Sequence, residues 1–159
     1  MSGAKNFTIP LLEDSSMEND SRRKQFIKHM LTLSEIFSDC IFSFEAELGI
    51  ESLEEIVSSH KNFAVTYDTG NITSYGLDHP TYIDHFRNKI NNVHLKDRTY
   101  DAVTVSPLTG DTDFRTIFDC LKNIEYGGSF IIQTAREDDG QEVDTIRNHM
   151  QIFKDLYDV

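Results

Sequence analysis

The sequence predicts an α/β protein built from about five βα units around a parallel sheet. Three observations predict it. Short apolar runs with prominent aromatic and β-branched residues recur along the chain, segments with helical spacing separate them, and polar residues of ligand chemistry follow the runs directly. With 159 residues there is room for a single domain, 1–159, with a real hydrophobic core, and not for two ordinary ones.

The apolar runs cover residues 7–12, 41–44, 63–67, 93–95 and 129–132, each short enough for a buried strand. Between the first two, residues 21–38 place Phe26, Met30, Leu33 and Phe37 on one helical face. Ser52-Leu53-Glu54-Glu55 has the form of a capping box before a short helix. Asp78-His79-Pro80 puts proline in the first turn of a helix running to about residue 90. Asp113 caps a helix over 114–124, which Gly127-Gly128 ends. A last helix over 142–157 aligns Val143, Ile146, Met150 and Phe153. The connection 136–140 is the most hydrophilic and is expected to be mobile. This alternation fits a doubly wound sheet as well as a barrel, and periodicity does not separate them.

Composition narrows the function. A net charge of −12 argues against a nucleic-acid partner, which needs lysines and arginines to neutralise phosphates. The short run Arg22-Arg23-Lys24 reads as the solvated start of a helix. No apolar run reaches the roughly 18–20 residues of a membrane span, and the first residues lack a signal peptide's apolar stretch, so no membrane partner and a cytoplasmic location are expected. Cys40 and Cys120 read as reduced structural thiols.

Chemistry collects at the strand ends. Glu45 follows the second run, Asp68 the third, His94 lies within the fourth and Gln133 follows the fifth. In a parallel α/β protein such ends share one face. Carboxylate, carboxylate, imidazole and amide oxygen suit one divalent ion: Mn²⁺, Mg²⁺, Co²⁺ or Zn²⁺. Each residue also has a plainer role. Glu45 could be a solvated loop residue, Asp68 an Asx turn, His94 a hydrogen-bonded core residue; a shared metal site and these separate roles stand level on chemistry alone. Lys96, Arg98 and Arg136 follow closely and could hold a phosphate or sugar hydroxyls, or pair with Asp97 and Glu137.

Tyr67-Asp68-Thr69-Gly70-Asn71, Val93-His94-Leu95-Lys96-Asp97-Arg98, Gly110-Asp111-Thr112-Asp113-Phe114 and Tyr126-Gly127-Gly128-Ser129-Phe130 together resemble the sugar phosphate isomerase/epimerase family of xylose-isomerase-like TIM barrels. The blocks occur in the family's order, and members described as hexulose-phosphate isomerase-like or ribulose-phosphate 3-epimerase-like resemble the chain most. The resemblance covers residues 7–157 and implies a partial (β/α)8 TIM barrel. It implies a divalent-metal-dependent sugar or sugar-phosphate isomerase/epimerase working through an enediolate, with Glu45, Asp68, His94 and Gln133 on the metal. It further implies that Glu45 moves the carbon-bound proton, and that Asn71 joins Lys96, Arg98 and Arg136 at the substrate. Gln133 departs from the second proton-transferring glutamate of epimerase-like members, so Glu47, Asp97 or a metal-bound water must return the proton.

Other readings on the same barrel are a lyase or hydrolase, inosose dehydratase-like or endonuclease-like, and a non-catalytic part-barrel acting as an interaction module. A complete barrel takes about 250 residues and eight strands. The expectation is therefore the C-terminal portion of a barrel, exposing edge strands and an apolar interior, and associating as a homo-oligomer or with a separate N-terminal half.

Overall fold

In the computed structural model, residues 3–137 and 140–158 are described. Strand β1 (Asn6–Leu11) leads through a 3-10 turn (Glu13–Ser15) to helix α1 (Asp20–Ile36), β2 (Ile41–Ala46), α2 (Ile50–Ser58) and β3 (Phe63–Asp68). Helices α3 (Thr69–Ser74) and α4 (His79–Phe86) precede β4 (Ile90–Leu95), and a small pair, β5 (Asp97–Arg98) and β6 (Thr104–Val105), follows it. Helix α5 (Phe114–Asn123), β7 (Ser129–Ile132) and α6 (Glu142–Asp158) complete the order.

The main sheet has five strands in the order β1-β2-β3-β4-β7. β1 lies parallel to β2, with Thr8 opposite Ser43 and Pro10 opposite Glu45. β4 lies parallel to β7, with His94 opposite Ile131. A doubly wound sheet reverses its strand order at a switch point, and this one never does, so the order is that of a barrel wall.

Two compact units make up the chain. The first comprises the described residues of Met1–Thr66 with Asn88–Asn91. Strand alternation gives β2 one apolar row, Phe42 and Phe44, both buried. Phe44 meets Phe26 of α1 and Phe63 of β3 edge-on at 5.6 and 5.3 Å. Leu53, Ile56 and Val57 of α2 are fully buried, each stabilising the fold by about 1.5–3 kcal/mol. The alternate row is polar: Thr66 Oγ1 lies 3.2 Å from the Thr8 hydroxyl and 2.7 Å from that of Ser43.

The second unit comprises Tyr67–Arg87 and the described residues of Asn92–Val159. Ile83 and Phe86 of α4, with Ile117 and Leu121 of α5, have no exposed surface. Phe118 packs edge-on against Phe130 of β7 and Tyr157 of α6. Val93 and Leu95 of β4 are apolar; Asn92 and His94, alternating with them, are buried and polar. Ser43, Glu45 and Thr66 in the first unit, and Asp68, Asn92 and His94 in the second, are buried polar residues of the strands.

Other expectations shift for local reasons. α1 buries Arg23, Met30 and Ser34 while Leu33 and Phe37 stay exposed, so its covered face diverges from the apolar periodicity after Met30. Arg23 is no solvated decoration: Nε donates to Glu55 Oε2 at 2.6 Å and Nη1 to the Met17 and Glu18 carbonyls. α2 starts at Ile50 behind Gly49, whose carbonyl accepts the Leu53 N–H, so Ser52 sits inside the helix and caps nothing. α4 ends at Phe86, because Ile90 is needed in β4. Asp113 caps α5 as expected, accepting the Thr116 N–H, but Ile124 and the positive-φ residue Glu125 end the helix before the glycines. α6 buries His149 and Phe153 and leaves Val143, Ile146 and Met150 exposed. The expected mobile connection includes Asp138 and Asp139, which lie outside the described residues.

Candidate metal centre

Asp68 ends β3 and caps α3: Oδ1 accepts the Asn71 N–H at 2.9 Å. That bond consumes one carboxylate oxygen and fixes the direction of the other. Oδ2 has no hydrogen-bond partner of good geometry; its neighbours are Lys96 Nζ at 2.8 Å and His94 Nδ1 at 3.7 Å. Both neighbours follow from the period of two in β4 and its extension, which puts Asn92, His94 and Lys96 in one row. Thr69 ties the start of α3 to that extension, donating to the Lys96 carbonyl at 2.6 Å and accepting the Lys96 N–H at 2.9 Å.

Burial would raise the Asp68 carboxyl pKa, but the polar contact with His94, the charge of Lys96 and the Asn71 N–H outweigh it. Its pKa therefore lies below the usual carboxylate range, and the oxygen facing His94 and Lys96 is anionic at neutral pH.

Asn71 organises two cations. Its Oδ1 accepts from Lys96 Nζ at 3.3 Å and from Arg98 Nη1 at 3.1 Å, and Arg98 also reaches the Ser74 hydroxyl at 3.2 Å. Gly70 makes this possible. A Cβ there would lie 2.9 Å from Lys96 Cγ and 3.0 Å from Arg98 Cγ.

In the other unit, Glu45 is the fifth residue of β2, in the row opposite Phe44, and is only 6% exposed. Glu45, Asp68 and His94 each offer one ligand atom, all within 4.8 Å of one another, a cluster that could hold a metal ion. Two carboxylate oxygens and an imidazole nitrogen suit a hard-to-borderline divalent ion, and Asp68 Oδ2, held by the charge of Lys96 and by no hydrogen bond of good geometry, fits such an occupant. Gln133 stands first after β7, its N–H bonded to the Leu95 carbonyl at 3.0 Å and its side chain exposed. Arg136 is exposed beside Glu142, at 3.7 Å. Glu47, in the first unit, accepts the Glu13 N–H at 3.4 Å.

Sequence reading missed two features here. Lys96 pairs with Asp68 rather than with Asp97, a partnership the shared row of His94 and Lys96 could have signalled. Asp97 is structural: it is fully buried, Oδ2 accepts the N–H groups of Thr109 and Gly110, and Oδ1 accepts that of Thr112. Its carboxylate closes the loop after β6 and is not available to return a proton.

A barrel-ordered parallel sheet with a buried Glu/Asp/His cluster defines the class. The chain belongs to the xylose isomerase-like TIM barrel family, whose model matches residues 8–156. Inosose dehydratase of Geobacillus thermodenitrificans (strain NG80-2) is 27% identical over 112 residues, 56% of this chain and 38% of that protein. A xylose isomerase domain protein from Planctomyces limnophilus superimposes with a TM-score of 0.79 at 13% identity, covering 97% of this chain and 58% of that one. For 3-keto-D-glucoside 4-epimerase from E. coli the TM-score is 0.71 at 14% identity, covering 92% and 62%. The chain thus spans less than two thirds of each of these proteins. Among the described residues, no helix is long and apolar enough to cross a membrane.

Proposed function

We propose that this chain carries the metal-binding portion of a divalent-metal-dependent isomerase or epimerase acting on a sugar or sugar phosphate. The observation that carries the reading is the buried donor set, Glu45, Asp68 and His94, with ligand atoms within 4.8 Å of one another. Gln133 is assigned as a fourth, neutral ligand through its amide oxygen. When bound, a Mn²⁺, Mg²⁺, Co²⁺ or Zn²⁺ ion supplies Lewis-acid polarisation of a carbonyl and its neighbouring hydroxyl.

The chain's own residues do the rest. Glu45 takes the carbon-bound proton beside the carbonyl, leaving an enediolate. Asp68 and His94 hold the ion's place and are themselves held, Asp68 by the Asn71 N–H and both by their position at strand ends. Asn71 and Arg98 present fixed donors and acceptors for substrate hydroxyls or a phosphate, Lys96 adds a buried cation, and Arg136 extends this set in solvent. Asp97 is spent on backbone N–H groups, which leaves Glu47 as the residue to return the proton.

The inosose dehydratase relative favours a second reading, a lyase. The first step is the same proton abstraction; the enediolate then expels a β-hydroxyl instead of being reprotonated.

Incubating the protein with Mn²⁺ in D2O with a panel of ketose phosphates, ketoses and an inosose separates the two. Isomerase or epimerase chemistry puts solvent deuterium at a carbon beside the carbonyl in recovered sugar. A lyase releases water and gives an unsaturated product. No exchange and no product with any substrate would remove the catalytic reading and leave an interaction module.

A further inference from the structure

We propose that Lys96 is an internal counter-ion of the metal centre, occupying Asp68 Oδ2 in the metal-free protein and giving way when a divalent ion binds. The inference rests on the reading of Glu45, Asp68 and His94 as metal ligands. It starts from the two oxygens of Asp68. Oδ1 accepts the Asn71 N–H, and Oδ2 carries no backbone donor. Lys96 Nζ stands 2.8 Å from that same oxygen, with the lysine 9% and the aspartate 2% exposed. His94 Nδ1, the other donor aimed at Oδ2, is 3.7 Å away, too long for a hydrogen bond between them.

Without a metal, Lys96 compensates a buried carboxylate whose cluster partner Glu45 is a second one. With a metal, two cations would claim one oxygen in a site where charges are poorly screened, and they repel. The structure gives the ammonium a second partner: Asn71 Oδ1 already lies 3.3 Å from Nζ. Lys96 therefore stabilises the buried Asp68 carboxylate and lowers its affinity for metal.

The test is calorimetric titration of Mn²⁺ into the wild-type chain, Lys96→Met, Lys96→Gln and Lys96→Arg, with thermal melts of each metal-free protein. The neutral variants should bind Mn²⁺ more tightly by about tenfold or more and melt lower when metal-free, while Lys96→Arg keeps wild-type affinity. Should the neutral variants bind as the wild type does, or more weakly, Lys96 orients Asp68 and the proposal falls while the metal reading stands. If the wild type and every variant bind no Mn²⁺, both fall. A measurement on the wild-type chain covers variants that do not fold. Amine-reactive labelling of Lys96, read by peptide mass spectrometry, should rise on adding Mg²⁺; labelling that stays level or drops overturns the proposal.

Discussion

Asp68 and Asp97 are both buried aspartates at the ends of strands, yet they do opposite work. Asp97 gives both oxygens to backbone N–H groups of Thr109, Gly110 and Thr112. Asp68 gives one oxygen to a backbone N–H and turns the other toward Lys96 and His94. A carboxylate saturated by backbone N–H groups fastens the chain; one whose second oxygen meets only side chains can exchange a partner for a ligand. Acceptor accounting separates the two where burial does not, since neither exceeds 2% exposure.

The strongest way to break the comparison is Asp97→Ala. It strands the N–H groups of Thr109, Gly110 and Thr112, the last of them buried, and should cost about 2–4 kcal/mol in denaturant unfolding. Asp68→Asn should cost less, about 1–2 kcal/mol, because its amide oxygen can still accept the Asn71 N–H and Lys96 keeps Asn71 Oδ1 as an acceptor when it loses the carboxylate. Equal losses would contradict the division of labour.

A buried histidine extends the comparison. His79 is saturated, with Tyr67 Oη 2.6 Å from Nδ1 and Thr73 Oγ1 3.0 Å from Nε2. Burial lowers its pKa from 6.5 to about 4, outweighing the opposing pull of Asp113 and Asp78. The unfolded chain therefore protonates first as pH falls. This contribution to stability is full above pH 6.5 and is lost as pH drops toward 4, by at most about 3 kcal/mol. Equilibrium unfolding across that window should show the loss, and His79→Gln should flatten that part of the slope.

Gly70→Ala sharpens the Asp68 side. The new Cβ would press on the stems of Lys96 and Arg98 and should cost about 1–2 kcal/mol, readable in the same unfolding curves.

The strands and their order of appearance were legible because each apolar run stands between helical segments, and β2, β3 and β4 begin or end within a few residues of the reading. The β5/β6 pair escaped notice because two-residue strands carry no period. Glu45, Asp68 and His94 were legible from position, each at or near the end of a strand. The helix faces were not. Arg23 is buried because Glu55, 32 residues on, and the Met17 and Glu18 carbonyls satisfy it, and His149 because Thr134 and Glu137 do, partnerships that apolar periodicity does not encode. Apolar spacing alone therefore could not say that Leu33 and Met150 stay exposed.

The central claim is that Glu45, Asp68 and His94 together hold one divalent ion. Calorimetric titration of Mn²⁺ into the wild-type chain and into Glu45→Gln, Asp68→Asn and His94→Ala tests it most directly. One ion per wild-type chain is expected, with affinity weakened about 100-fold or more in each variant. A wild-type chain that takes up no ion, or variants that bind it as well as the wild type, would contradict it.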